Sequence, residues 1–139
     1  MATQLIPYFG FDGTTADAMR YYQSIFGGKL EMQTFAEANM ADTEAIQDRV
    51  VHAQLTAEDF ILMASDAHPD HSPEVVFGNS VSLSFVGADK AQLTEYFNKL
   101  CEDGKVEMPL EKQFWGDVFG ACEDKFGVHW MVNITEQEG

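Results

Sequence analysis

His129, Met131 and Asn133 alternate near the end of the chain. Residues two apart in an extended strand share a face, so these three form one row. An imidazole, a thioether and an amide side by side suit hydrogen bonding to a small ligand. The same row also reads as a histidine satisfied by backbone and packed beside Trp130. His52, Gln54 and Thr56 repeat the spacing. Imidazole is the side chain best suited to acid–base work near neutral pH, yet this strand also reads as a solvated face. His68, Asp70, His71 and Glu74 crowd into a proline-containing segment. Their donor atoms suit zinc or nickel, but no supporting hydrogen-bonding cue accompanies them, and the segment reads as solvated. Phe114 and Trp115 precede Gly116 and read as a lid, a dimer contact or core. Cys101 and Cys122 have no histidine partner in sequence to activate a thiolate, and read as reduced structural thiols. No phosphate-binding glycine loop, nucleophile elbow or paired-cysteine zinc motif is present.

The elements that position these residues occur twice. Gly28-Lys29-Leu30-Glu31-Met32 returns as Gly104-Lys105-Val106-Glu107-Met108, Tyr21-Tyr22 as Tyr96-Phe97, and Phe11-Asp12-Gly13 as Phe85-Val86-Gly87. Two such units must pair to bury a shared face, and a cavity commonly lies between them. In the first, Leu5 to Phe11 reads as a strand that Pro7 places at a start or an edge. Thr14 or Thr15 caps a helix carrying Ala18, Met19, Tyr22, Ile25 and Phe26 at helical spacing, and Gly27-Gly28 stops it. Lys29 to Phe35, Arg49 to Leu55 and Phe60 to Ala64 are further strands; residues 36–48 read as an acidic loop. In the second, Ser80 to Phe85 is a strand and Lys90 to Cys101 a helix. Lys105 to Met108, Asp117 to Cys122 and Val128 to Ile134 are strands, and Pro109 to Gly116 is an irregular loop. Each unit is thus β-α-β-β-β. Glu31 and Glu107, at equivalent positions, read as a shared solvent-facing slot.

Composition narrows the function classes. The chain of 139 residues is 45% hydrophobic and carries a formal net charge of −15. Eight Lys plus Arg form no basic stripe, so nucleic acid is not an expected partner. No apolar run approaches the roughly 20 residues of a spanning helix, and no membrane partner is expected. Met-Ala-Thr-Gln lacks the basic and apolar regions of a signal peptide, and the expected location is cytoplasmic.

Two tandem βαβββ units in this length resemble the vicinal-oxygen-chelate superfamily of glyoxalase I, extradiol dioxygenases and bleomycin-resistance proteins. Within it the chain is similar to the PhnB-like branch. The resemblance is carried by Pro7-Tyr8-Phe9-Gly10-Phe11, by Tyr21 through Gly28, and by Trp115-Gly116-Asp117 with Asp124-Lys125-Phe126-Gly127-Val128-His129-Trp130. It implies an α+β fold whose two modules form a cupped mixed β-sheet around a site. The expected organisation is a single domain over 1–139, with modules at about 1–66 and 80–139 and a connector at 67–79. In metal-dependent members, ligands come from the first and last strands of each unit. Laid onto this chain, those positions fall at or beside Pro7, near Met63, at Ser80 and at Met131, which are poor partners for a hard cation. Neither the usual metal nor any cofactor is therefore expected.

The reading that results is a homodimer binding a small organic molecule in its cup, through His52, Met63, Trp115, His129, Met131 and Asn133. Two alternatives stay open. One is a bleomycin-resistance-like sequestering protein without catalysis. The other is a metal-dependent lyase, isomerase or dioxygenase with a displaced site using His52, His129 and an acid. Some PhnB-like sequences carry a 3-demethylubiquinone methyltransferase label, which the absence of a glycine-rich nucleotide loop does not favour. Whether the chain is an enzyme is left open.

Overall fold

A computed structural model describes residues 2–136 and resolves two units, Met1–Val76 and Phe77–Gly139. The first contains β1 (Tyr8–Phe11), α1 (Thr15–Phe26), β2 (Lys29–Thr34), a 3-10 turn at Glu44–Ile46, β3 (Val50–Thr56) and β4 (Ile61–Asp66). The second contains β5 (Leu83–Gly87), α2 (Lys90–Cys101), β6 (Lys105–Lys112), β7 (Val118–Glu123) and β8 (His129–Ile134). The sheets have the same topology, β1-β4-β3-β2 and β5-β8-β7-β6. In each, the first strand runs parallel to the last and the other pairings are antiparallel. This is the α+β architecture expected from the sequence.

Each helix covers one face of its own sheet. α1 buries Thr15, Ala18, Met19, Tyr22 and Ile25, a stripe one helical turn apart. They lie over Phe11, Ala53, Leu55, Leu62 and Ala64, all buried. α2 buries Leu93, Phe97 and Leu100 against a sheet whose Cys122, Trp130, Val132 and Ile134 are buried. Each large side chain so covered contributes about 1.5–3 kcal/mol. Because strands alternate their faces, His52, Gln54 and Met63 lie away from α1, and Phe119, His129, Met131 and Asn133 lie away from α2.

The glycines of the repeated pentapeptide have a common reason. At Gly28 a Cβ would be driven into the Thr56 carbonyl oxygen, and at Gly104 into that of Glu123. Thr56 ends β3 and Glu123 ends β7, so both glycines admit the helix-to-strand turn against the same point of the sheet. Tyr22 and Phe97 are each the eighth residue of their helix and are buried. The third echo is displaced. The Phe11 carbonyl accepts from the Ala67 amide after β4, and the Gly87 carbonyl accepts from Thr135 after β8. Phe11 therefore corresponds to Gly87, and Phe85 to Phe9; these two lie against Tyr96 and Tyr22 at 5.3 and 5.8 Å between ring centroids.

Several element boundaries differ from expectation, each for a physical reason. β1 starts only at Tyr8, after Pro7. β5 starts at Leu83, so Ser80–Ser82 lie outside it. β6 continues through Pro109 to Lys112 where a loop was expected. It is an edge strand, so a residue without an N–H costs no ladder bond on its outer side. The register slips on both sides of Met108. Neither Thr14 nor Thr15 caps α1 through its side chain: Thr14 is the N-cap without a side-chain bond. The cap is Asp66, from the end of β4. Its Oδ1 accepts from the Gly13 and Thr15 amides at 2.9 and 3.0 Å, and its Oδ2 from Val50 at 2.9 Å. A carboxylate there also complements the positive end of the helix dipole.

Asp66 is 5% exposed, so its loss leaves the buried bonds of the Thr15 and Val50 amides and the part-buried bond of Gly13 without an acceptor. Asp66→Ala is expected to destabilise the protein by about 3–5 kcal/mol, read as a lowered urea midpoint. A change within the range of surface substitutions would contradict this role.

Candidate functional site

The faces turned away from the helices carry the residues singled out in the sequence. In the first sheet Met63 on β4 is flanked by Tyr8 on β1 and Gln54 on β3. His52 lies one step along β3, with Nδ1 3.3 Å from the Tyr8 hydroxyl and the rings 5.9 Å apart. In the second sheet Met131 on β8 is flanked by Ser84 on β5 and Ala121 on β7. Met63 and Met131 therefore hold equivalent positions in their own sheets. The register places Tyr8 and Ser84 beside them, where the sequence pointed to Pro7 and Ser80.

Register thus pairs a hydroxyl with each methionine at the positions where the resemblance put the ligands of metal-dependent members. The pairs are Tyr8 with Met63 and Ser84 with Met131. Thioethers and neutral hydroxyls do not replace the imidazoles and carboxylates a divalent ion needs there. The residues do not fit that metal.

His129 is the most elaborated side chain on the second open face. Its side chain is only 12% exposed, with Nδ1 2.9 Å from Glu107 Oε1 and Nε2 3.4 Å from Glu123 Oε1. A carboxylate only accepts, and Glu107 and Glu123 approach different ring nitrogens, so the two hold the imidazole from either side. Met131 and Asn133 continue the row. The Asn133 amide donates to Asp117 Oδ2 at 2.9 Å, and Asn133 faces Phe119 across the ladder. Trp115, half-exposed, meets Phe119 edge-on at 6.0 Å and Phe114 at 5.0 Å. Phe114 itself is 97% exposed, which rules out the core reading for it. Glu31 and Glu107 are both exposed, as expected, but their partners differ: Glu107 holds His129, whereas Glu31 is ion-paired with Lys29 at 2.9 Å.

The strand carrying His129 is fixed by Asp124. That buried carboxylate accepts from the Phe126 and Val128 amides with one oxygen, and from the Trp130 indole N–H at 2.8 Å with the other. Trp130 in turn stacks on Phe85 at 5.7 Å. Sequence reasoning found the tract but not this role of Asp124; an acid followed by glycine three residues later was the available turn signal.

The connector residues divide. His68 and His71 converge, while Asp70 contributes only its backbone amide and Glu74 is exposed. Their common partner is Asp42, from the acidic loop: Oδ1 lies 3.0 Å from His68 Nε2 and Oδ2 3.2 Å from His71 Nε2. The His68 hydrogen bond draws the Asp42 carboxyl below its ordinary range against the opposing effect of burial, and His71 adds to it. Nothing local in the sequence marks Asp42.

The two thiols of the second unit are free, Cys101 half-buried and Cys122 buried. Burial pushes the Cys122 thiol strongly up, and Cys101, Asp124 and Glu107 push the same way. Burial also raises Cys101, against a smaller opposing effect of the neighbouring Cys122 thiol.

Comparison with known proteins fits this geometry. The family model described as 3-demethylubiquinone-9 3-methyltransferase matches residues 3–133. Protein YjdN of Escherichia coli (strain K12) is 32% identical, over 96% of this chain and 97% of that one. The crystal structure of protein PA1353 from Pseudomonas aeruginosa is 36% identical with a TM-score of 0.82, covering 98% of this chain and 100% of that one. A glyoxalase-related enzyme from Fulvimarina pelagi, 14% identical, superposes with a TM-score of 0.65 over 97% and 89% of the two chains. At that identity the likeness establishes the fold, which is the glyoxalase type.

A raised thiol pKa means less thiolate at a given pH, hence slow modification. Cys122 is expected to react with a disulfide reagent at mildly alkaline pH roughly 100-fold or more slower than a free thiol, and to become reactive on unfolding. Labelling of native Cys122 at the free rate would contradict its burial.

Proposed function

We propose, for a chain that belongs to the 3-demethylubiquinone-9 3-methyltransferase (PhnB-like) family, that its open sheet faces bind a small organic molecule without the metal typical of the fold. The observation that carries this reading is the environment of His129. A sheltered imidazole is held between two carboxylates and is followed along the strand by Met131 and Asn133. Polar groups of fixed orientation beside adaptable apolar surface are what small-molecule sites are made of.

The cluster of His129, Glu107 and Glu123 carries two negative charges with a neutral ring and one with a charged ring. It is negative in either state. It therefore favours a ligand that presents a cation or a hydrogen-bond donor, with an aromatic or aliphatic body against Met131, Phe119 and Trp115. The chain's net charge of −15 raises the local concentration of such a ligand and does not select it. His52, Tyr8 and Met63 offer a comparable but less charged surface on the first sheet.

Simple sequestration requires nothing beyond this surface. Catalysis is the second reading, favoured by one observation: Glu107 and Glu123 fix the orientation of the His129 imidazole, the side chain best suited to acid–base work near neutral pH. Methyl transfer, the activity in the family's description, is not adopted, because the sequence has no G-x-G-x-x-G run for a nucleotide-based donor.

The test is a thermal-shift screen of small organic cations, each paired with a neutral analogue of the same shape, in the presence of chelator. Aromatic or aliphatic cations are expected to stabilise the protein, and Glu107→Gln is expected to weaken them about tenfold or more. Equal response to the neutral analogues, or a response that appears only with added metal, would sink the proposal. Among binders, a chemical change that His129→Gln abolishes would identify an enzyme; an unchanged ligand would identify sequestration.

A further inference from the structure

We propose that Asp42, His68 and His71 form a binding site for a divalent transition-metal ion, zinc or nickel by donor type, in the first unit and away from the positions of Met63 and Met131. It departs from the sequence expectation that no metal is held. Among the described residues these three are the one group whose imidazole and carboxylate donor atoms gather, all within 4.8 Å of one another.

The arrangement is built by the fold rather than by chance crowding of surface acids. β4 ends at Asp66, which three backbone amides hold in place, and His68 follows two residues later. The turn after it is closed: the His68 carbonyl accepts from the His71 and Ser72 amides, and the His68 amide donates to Ser72 Oγ at 2.9 Å. The His68 side chain is 9% exposed and meets the Phe35 ring edge-on at 5.9 Å. The turn stacks the His71 ring near it, with centroids 4.2 Å apart. Asp42 reaches both rings from the loop after β2.

The donor set is two imidazole nitrogens and one carboxylate. This suits zinc, nickel or cobalt, whereas magnesium and calcium prefer oxygen alone. Around a tetrahedral zinc with bonds of about 2.0–2.1 Å, neighbouring donors lie roughly 3.3 Å apart. His68 Nε2 lies 3.0 Å from Asp42 Oδ1 and His71 Nε2 3.2 Å from Oδ2, and with one donor per residue all three fall within 4.8 Å, so a contraction of the exposed His71 and Asp42 side chains brings the set to this spacing. His71 and Asp42 are exposed, at 69% and 50% of their side chains, so the ion has an entry path and a fourth position open to water.

One feature opposes binding and also supplies a signature. His68 Nδ1 accepts the Asp70 amide at 3.0 Å. Nε2 therefore holds the ring proton and donates it to Asp42. An ion on Nε2 displaces that proton to Nδ1, where it would confront the Asp70 N–H, donor against donor. Ion binding must then break the Asp70 bond and turn that amide outward.

The experiment uses the full chain without an affinity tag, stripped with chelator and titrated with zinc alone by calorimetry near neutral pH, with amide resonances followed in parallel. The expected result is one ion per chain at micromolar affinity and a shift of the Asp70 amide as its bond is lost. His71→Ala, at an exposed position, is expected to weaken binding about tenfold or more with an unchanged melting curve, and Asp42→Asn likewise. Two results would overturn the site: zinc binding no tighter than millimolar, or binding that both variants leave intact, which would place the ion on other surface groups.

Discussion

One buried carboxylate holds the first unit in register. Asp66 ends the last strand, yet its oxygens satisfy amides from the β1–α1 turn and from the start of β3. Three segments distant in sequence are thus tied to a single side chain that excludes water. Charge-assisted bonds of this kind are strong because the alternative leaves the buried Thr15 and Val50 donors unsatisfied. The consequences run outward. The helix is fixed over its sheet, so Tyr22 and Met19 fill the core. The opposite face, with Tyr8, His52 and Met63, is left free of packing demands. The chain leaving β4 is aimed so that His68 turns inward toward Phe35 and Asp42. In the second unit Ile134 occupies the place of Asp66, and the organising carboxylate is Asp124, which fixes Trp130 and the hairpin that presents His129. The two units share a topology but are anchored by acids at different points.

The parts legible in the sequence were those governed by local rules. Helix periodicity located Tyr22 and Phe97 in equivalent slots, and the repeated Gly-Lys pentapeptide marked the turn where only a glycine clears a strand-end carbonyl. Strand alternation correctly grouped His129, Met131 and Asn133 on one face. The parts that were not legible depend on contacts between distant segments. A capping carboxylate arriving from β4 has no signature near Thr14. The extension of β6 through Pro109 depends on its being an edge strand, which only the topology decides. The echo of Phe11 in Phe85 was displaced by two residues because hydrogen-bond register, not residue identity, fixes the end of a strand. Asp42 sits in a polar loop and becomes distinctive only when two histidines from residues 68–71 meet it.

The chemistry follows the same division. Met63 and Met131, with the hydroxyl residues Tyr8 and Ser84 beside them, put an adaptable apolar side chain at the same place in each sheet. Fold alone does not assign activity, and the charged groups that remain define what this surface can recognise: His129 between Glu107 and Glu123, with Trp115 and Phe119 nearby. The imidazoles and carboxylate able to hold a borderline metal lie instead on the connector and the acidic loop. The two proposals thus place metal affinity and ligand recognition on separate groups of residues.

That separation is the central claim, and anomalous diffraction at the zinc absorption edge, from crystals of the full chain grown with zinc, tests it most directly. The account predicts an ion bonded to Asp42, His68 and His71, with no ion beside Met63 or Met131. An anomalous peak bonded to Tyr8 or Ser84 next to either methionine would contradict it.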